Sequence, residues 1–213
     1  IRQKLTLGAG ATIADGANSY WLRIVYPTVN DFIDMGTGST ISNYGLLYYA
    51  NGNRTITQKA FTLSEGYMYI VGASRGVLKM TGDWTFGSNL WMYGDTSSIT
   101  EATAMVLDTN GYDLTVGGFL TLGTGSSGYT DKYYAKIFFR DGNHTINGNV
   151  YITNAVYNAR GYFDLGSSTV TIKGDLDLTR AIVTPGTSTV VLAATSGTKY
   201  ITSDTQAFNN LTI

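Results

Sequence analysis

Apolar and polar residues alternate in short runs along the whole chain, and the runs recur. The unit is a Thr followed by an apolar residue, two linker positions, one polar position and then apolar-x-apolar. It reads Thr6-Leu7 with Ala11 and Ile13, Thr28-Val29 with Ile33 and Met35, and, one residue longer, Thr55-Ile56 with Phe61 and Leu63. It continues as Thr85-Phe86 with Leu90 and Met92, Thr115-Val116 with Leu120 and Leu122, Thr145-Ile146 with Val150 and Ile152, and Thr171-Ile172 with Leu176 and Leu178. Successive threonines lie 22, 27, 30, 30, 30 and 26 residues apart. A degenerate eighth copy begins at Tyr200-Ile201 and ends in Leu211-Thr212-Ile213. Period-two alternation over a few residues predicts half-buried strands, and a fixed long period predicts a repeat architecture.

A third apolar segment precedes each copy, as in Met105-Val106-Leu107, Ile137-Phe138-Phe139, Tyr162-Phe163-Asp164-Leu165 and Val190-Val191-Leu192. Three strands per coil with no helix between them exclude βαβ units. Antiparallel hairpins would not reproduce one register seven times, whereas coils whose equivalent strands stack in parallel would. The predicted fold is all-β: a single-stranded parallel β-helix (β-solenoid), right-handed by the crossover rule, with seven to eight coils of 22–30 residues. A β-sandwich is the runner-up. The solenoid is expected to fill residues 1–213 as one domain, a segment of a longer repetitive chain or filament. In this register Leu120 and Val150 point inward, while Thr145, Asn149 and Tyr151 point outward. Asn53, Asp83, Asp113 and Asn143, each two residues before its Thr, predict a stacked turn, because Asn and Asp bond neighbouring backbone amides.

Composition narrows the classes. The 213 residues include 26 Gly, 2 Pro and only 14% charged side chains, with just two glutamates, Glu65 and Glu101. That mixture disfavours helix, and 13% aromatics is too rich for disorder. Net charge is −1 with basic residues scattered singly, so no patch exists to neutralise phosphates and nucleic acid is not an expected partner. No apolar run reaches the ~18 residues of a membrane helix, so membrane insertion is not expected. Cysteine is absent, which removes disulfides and thiolate metal sites. The single histidine, His144, lacks partners for a metal cluster or triad, and no Gly-x-Ser-x-Gly occurs. Its expected place is a partly buried coil position. No metal or other cofactor is expected, and without an Asp-rich calcium loop stacked aspartates carry little weight as a cation site.

The segments Gly186-Thr187-Ser188-Thr189-Val190-Val191-Leu192, Tyr200-Ile201-Thr202-Ser203 and Phe208-Asn209-Asn210-Leu211-Thr212-Ile213, with a similar stretch from Gly166 to Thr179, resemble repeats of large bacterial and archaeal adhesin-like surface proteins and of phage tail fibre and tailspike proteins. The resemblance covers roughly the last third of the chain. It implies a β-solenoid that is extracellular, on a cell surface or in a virion, serving as a stalk, adhesin or receptor-binding fibre. It carries over no catalytic residue.

Two sets of side chains bear on chemistry. Asp175 and Asp177 alternate on one outward face about 6.7 Å apart, near the ~6.5–9.5 Å carboxyl separation of inverting glycosidases. Asp83 and Asp113 would stack one coil apart. Such pairs define the alternative reading, a polysaccharide-degrading tailspike-type hydrolase or lyase, although turn-forming aspartates explain them as well. Three Asn-x-Thr sequons begin at Asn53, Asn143 and Asn210, and the first two are the repeat motif itself. A regular Thr-x-Thr ladder is missing, which argues against an ice-binding face. Tyrosine is in excess, with 16 copies, and Tyr48-Tyr49, Tyr67, Tyr69, Tyr93 and Tyr133-Tyr134 are expected at coil edges.

Six residues after the threonines lies an outward column of Asp34, Trp91, Thr121, Tyr151 and Asp177, with the third copy shifted by its insertion. Trp91 and Tyr151 should stand two coils apart, about 9.6 Å, with small Thr121 leaving a notch between them and Asn149 and Asp177 supplying hydrogen bonds. Trp91, Thr121, Tyr151, Asn149 and Asp177 are therefore the expected ligand-binding set, suited to a surface glycan. The uncapped strands at both ends predict self-association or neighbouring subunits. The expected function is a non-enzymatic structural and recognition module.

Overall fold

The computed structural model describes residues 4–14, 21–25, 29–37, 39–50, 54–63, 65–72, 76–94, 104–123, 134–153 and 160–213. Thr28, Asn53, Tyr133 and the segments after Gly94 and Gly123 lie outside these residues, as do the side chains of Tyr49, Tyr67, Tyr93 and Tyr134.

The N-terminal strands are β1 (Leu5–Leu7), β2 (Thr12–Ala14), β3 (Trp21–Val25), β4 (Ile33–Met35) and β5 (Thr40–Ala50). From there three strands recur in fixed order: β6 (Thr55–Gln58), β7 (Phe61–Leu63), β8 (Glu65–Gly72); β9 (Val77–Met80), β10 (Trp84–Phe86), β11 (Leu90–Gly94). The order continues with β12 (Met105–Asp108), β13 (Leu114–Val116), β14 (Leu120–Gly123); β15 (Tyr134–Phe138), β16 (Asn143–Ile146), β17 (Val150–Thr153). It ends with β18 (Arg160–Asp164), β19 (Thr169–Ile172), β20 (Leu176–Asp177); β21 (Ala181–Thr184), β22 (Thr189–Leu192), β23 (Ile201–Thr202); and β24 (Asn210–Thr212). Strands stack in three long sheets, with β1 and β4 forming a separate two-stranded one. Sheet I is seven-stranded from β7 to β24, sheet II is nine-stranded from β2 to β23 with β3 beside β5, and sheet III is six-stranded from β6 to β21. Every pairing among the described residues is parallel. No helix occurs among them. The chain is a parallel β-solenoid.

The central register matches the sequence reading: Thr85 pairs with Thr115, Thr115 with Thr145, and Thr145 with Thr171. Leu120 and Leu122 sit against Val150 and Ile152, and Leu120 is completely buried. The core is one continuous apolar column inside the three sheets.

Three expectations are corrected. Six strands in sheet III are joined by five turns, so the regular solenoid has about five turns, not seven to eight coils. The early copies are also out of phase: Asp34 rather than Thr28 stands opposite Thr6, and Thr62 rather than Thr55 stands opposite Thr85. Thr55-Ile56 belongs to sheet III, opposite Val77-Leu78. Finally, Val190-Val191-Leu192 is a sheet I strand paired with β19, and the third segment of that coil is β21. All three strand types share period two, so local alternation cannot say which sheet a strand joins.

Side chains tie the corners. Asp83 Oδ1 accepts the Asp113 backbone N–H at 2.9 Å, and Asp113 Oδ1 accepts that of Asn143 at 2.7 Å, so this column is a turn ladder. His144 is fully buried, a step beyond the partial burial expected. Its Nδ1 accepts the Leu114 N–H at 3.2 Å, so Nε2 carries the hydrogen and donates to the Phe139 carbonyl at 2.8 Å. Tyr48, expected at an edge, is in the core at 1% exposure, packed against Phe32 with ring centroids 4.9 Å apart.

Candidate functional site

Sheet II carries the outward column in the predicted register from Trp91 to Asp177 and extends it both ways, whereas Asp34, expected at its start, lies in β4 opposite Thr6. Tyr69, Trp91, Thr121, Tyr151, Asp177 and Thr202 are paired one coil after another. Two residues earlier in each coil runs a corner column of Asn89, Phe119, Asn149, Asp175 and Tyr200. There Asn89 Oδ1 accepts the Phe119 N–H, Asn149 Oδ1 accepts the Asp175 N–H at 2.8 Å, and Asp175 Oδ1 accepts the Tyr200 N–H at 3.0 Å. Each short polar side chain thus closes a bend against the next coil, which fixes where the neighbouring rings stand.

The rings form a ridge. Tyr69 meets Trp91 edge-on with centroids 4.1 Å apart. Trp91 stacks on Phe119 at 5.5 Å, and Phe119 meets Tyr151 at 5.5 Å. Phe119 therefore fills the space between Trp91 and Tyr151, and Thr121 is only 1% exposed. The notch expected above Thr121 is closed: a large corner ring leans over a small column residue, and the coil-to-coil stacking holds it there. Burial raises the Tyr151 hydroxyl pKa above the usual phenol value.

The ridge stops where aspartates replace rings. One coil beyond Tyr151 come Asp175 and Asp177, and one coil further stands Tyr200, 69% exposed. Between the two tyrosines lies an open depression of about 280 Å³ lined by Asn149, Tyr151, Asp175, Asp177, Tyr200 and Thr202. Both rings flank an acidic floor. Asp177 Oδ1 accepts the Thr179 N–H at 2.9 Å, so each carboxylate spends one oxygen on the backbone and keeps the other as an acceptor.

Of the five residues expected to bind ligand, Tyr151, Asn149 and Asp177 share this depression, while Trp91 lies on the ridge beside it and Thr121 is buried in the same column. Tyr69 and Thr202 continue the same column into coils whose spacing departs from the repeat, and Phe119 and Tyr200 occupy the corner position two residues earlier. Reading the corner position as a second column would have found Phe119 and Tyr200. Among the described residues, no three His, Asp or Glu side chains gather as a metal site. No protein-family profile, curated protein or solved structure matches the chain.

Proposed function

We propose that the chain is a rigid recognition module of an extracellular, cell-surface or virion fibre that binds surface glycans along the outward face of sheet II. The observation that carries this reading is the row of side chains Tyr69, Trp91, Phe119 and Tyr151, stacked coil on coil and opening into the polar depression beyond Tyr151. Such rings offer apolar area to sugar faces at low entropic cost, and neighbouring Asn, Asp and Thr supply directional hydrogen bonds. A parallel stack of coils holds these groups in fixed register, so the ligand meets a preorganised surface. The adhesin and tail-fibre resemblance of the last third of the sequence supports the same reading. Self-association or contact with neighbouring subunits through the solenoid ends belongs to the same proposal, because unpaired parallel edges recruit further strands.

The test is a glycan array with the wild-type chain beside the Trp91→Ala, Tyr151→Ala double variant. Binding by the wild type and its loss in a variant that keeps its strand-type circular dichroism is the expected outcome. Undiminished binding by the folded variant would sink the assignment of this face. Asp175 and Asp177, both in the depression, keep the glycan-cleaving alternative alive as a second reading. It requires new reducing ends, or an unsaturated product for a lyase, when polysaccharide is incubated with the chain.

A further inference from the structure

The depression between Tyr151 and Tyr200 has a chemical polarity that the ridge lacks. Its polar lining comprises two carboxylates, one amide, one hydroxyl and the tyrosine hydroxyls, and among the described residues no Lys, Arg or His lines it. Asp175 is half-buried and Asp177 exposed, and each already accepts one backbone N–H through Oδ1. With Oδ1 committed to the backbone, each carboxylate keeps Oδ2 as a second acceptor in the lining of the depression. A carboxylate accepts hydroxyl hydrogens through charge-assisted bonds about twice as strong as neutral ones. The same charge repels an anion brought within contact, and no cation in the lining offsets it.

From this we infer that the Tyr151–Tyr200 depression is the specificity-determining subsite of the sheet II face, taking a neutral hexose of a linear glycan and rejecting uronic or sialic acid units. The inference rests on the glycan-binding reading above and adds where the sugar sits and which sugars fit. Tyr151 and Tyr200 are two coils apart and two positions apart along the strand, about 12 Å between backbone positions. A short oligosaccharide laid diagonally across the coils reaches both rings, with its hydroxyls over Asp175 and Asp177. Discrimination then arises as much from an unpaired charge against the wrong ligand as from contacts to the right one.

The experiment is calorimetric titration of the whole chain with a panel of neutral linear oligosaccharides and their 6-carboxylate counterparts. Three variants accompany the wild type: Tyr200→Ala, the double Asp175→Asn, Asp177→Asn, and Trp91→Ala. The asparagines keep an Oδ1 acceptor for the backbone, as Asn149 does for Asp175, and Tyr200 is largely exposed, so these chains should fold. Expected are neutral ligands binding at least tenfold tighter than their uronate counterparts, loss of most of that affinity in Tyr200→Ala, and a narrowed neutral-to-uronate ratio in the double Asn variant. Wild-type binding of uronates as tight as that of neutral sugars overturns the inference. So does neutral binding that depends on Trp91 but is untouched by Tyr200→Ala and by the Asn pair; that result would leave the glycan-binding face standing on the ridge alone. Absence of binding to any sugar overturns the glycan reading and this subsite with it.

Discussion

A single buried ring shows how a residue works in this fold. His144 occupies a core position where the next coil has Val170, and both its nitrogens replace backbone partners, one toward Leu114 and one toward Phe139. Burial lowers its pKa below the usual imidazole value, against upward pulls from the Phe139 carbonyl and the Asp113 and Asp141 carboxylates. Because the folded chain takes up this proton less readily than the unfolded one, its contribution is complete above the ~6.5 of a free imidazole and declines as pH falls below that value. His144→Val leaves the Leu114 N–H without its acceptor and should cost about 1–2 kcal/mol at pH 8. It should also flatten the melting temperature between pH 7 and 5. A variant that loses stability on acidification as steeply as the parent would show that another group titrates there. Leu120 probes the core itself: Leu120→Asp buries an unpaired carboxylate, for which a loss on the order of 3–5 kcal/mol is expected. An unchanged melting temperature would contradict the inward register of β14.

At the scale of the element, the corners decide more than the strands. Between sheets III and I four successive bends, from the one after β12 to the one after β21, place a residue in a left-handed conformation: Asn110 at φ 55° with Gly111 beside it at 86°, Arg140 at 59°, Gly166 at 56° and Gly186 at 55°. A Cβ at Gly166 would lie 2.1 Å from the Arg140 carbonyl oxygen, and one at Gly186 2.0 Å from that of Gly166, so only glycine fits where the bends stack most closely. Arg140 adopts the same conformation with a side chain, anchored by a bidentate pair of 2.9 Å bonds to Asp108. Burial alone would raise the Asp108 carboxyl, but Arg140 and the Asn110 N–H outweigh it and hold its pKa below the usual range.

The strands and their parallel stacking were legible because apolar alternation recurring every 22–30 residues admits few other folds. The four copies from Thr85 to Thr171 were readable to the residue for that reason. The first three copies were not, since Thr-apolar pairs occur in sheet III as well as sheet I and spacing alone does not tell them apart. Gln58 was invisible for a different reason. It is a buried amide that accepts the Ile33 N–H at 3.0 Å and donates to the Ile33 carbonyl at 2.9 Å, thereby standing in for a neighbouring strand. Nothing in the local pattern separates it from a solvent-facing glutamine. The site was half legible. Column arithmetic placed Tyr151, Asn149 and Asp177 together, but the direction in which Phe119 leans depends on packing between coils that one coil's sequence does not contain.

At the scale of the molecule, stability should pass along the stack from neighbour to neighbour, and it meets a seam. Strands β1 and β4 form their own two-stranded sheet and are not continuous with sheet I, which starts at β7. Across that seam run the Gln58 amide clamp and an ion cluster in which Asp34 contacts Lys4 at 2.8 Å and also Lys59. The ammonium groups of Lys4 and Lys59 hold the Asp34 carboxyl well below its usual value, at about 2. A depressed carboxyl contributes stability that is complete above the ordinary value near 3.8 and is lost as pH falls from there toward 2. Hydrogen exchange, corrected for intrinsic rates, should therefore show β1 and β4 losing protection across this window while β13, β16 and β19 keep theirs, a local opening rather than global unfolding. Asp34→Ala should expose β1 and β4 already at pH 5 and leave the central strands unchanged. If β1 and β4 of that variant stay as protected as β13, the seam is not held by the ion cluster, and the N-terminal strands belong energetically to the same unit as the central coils.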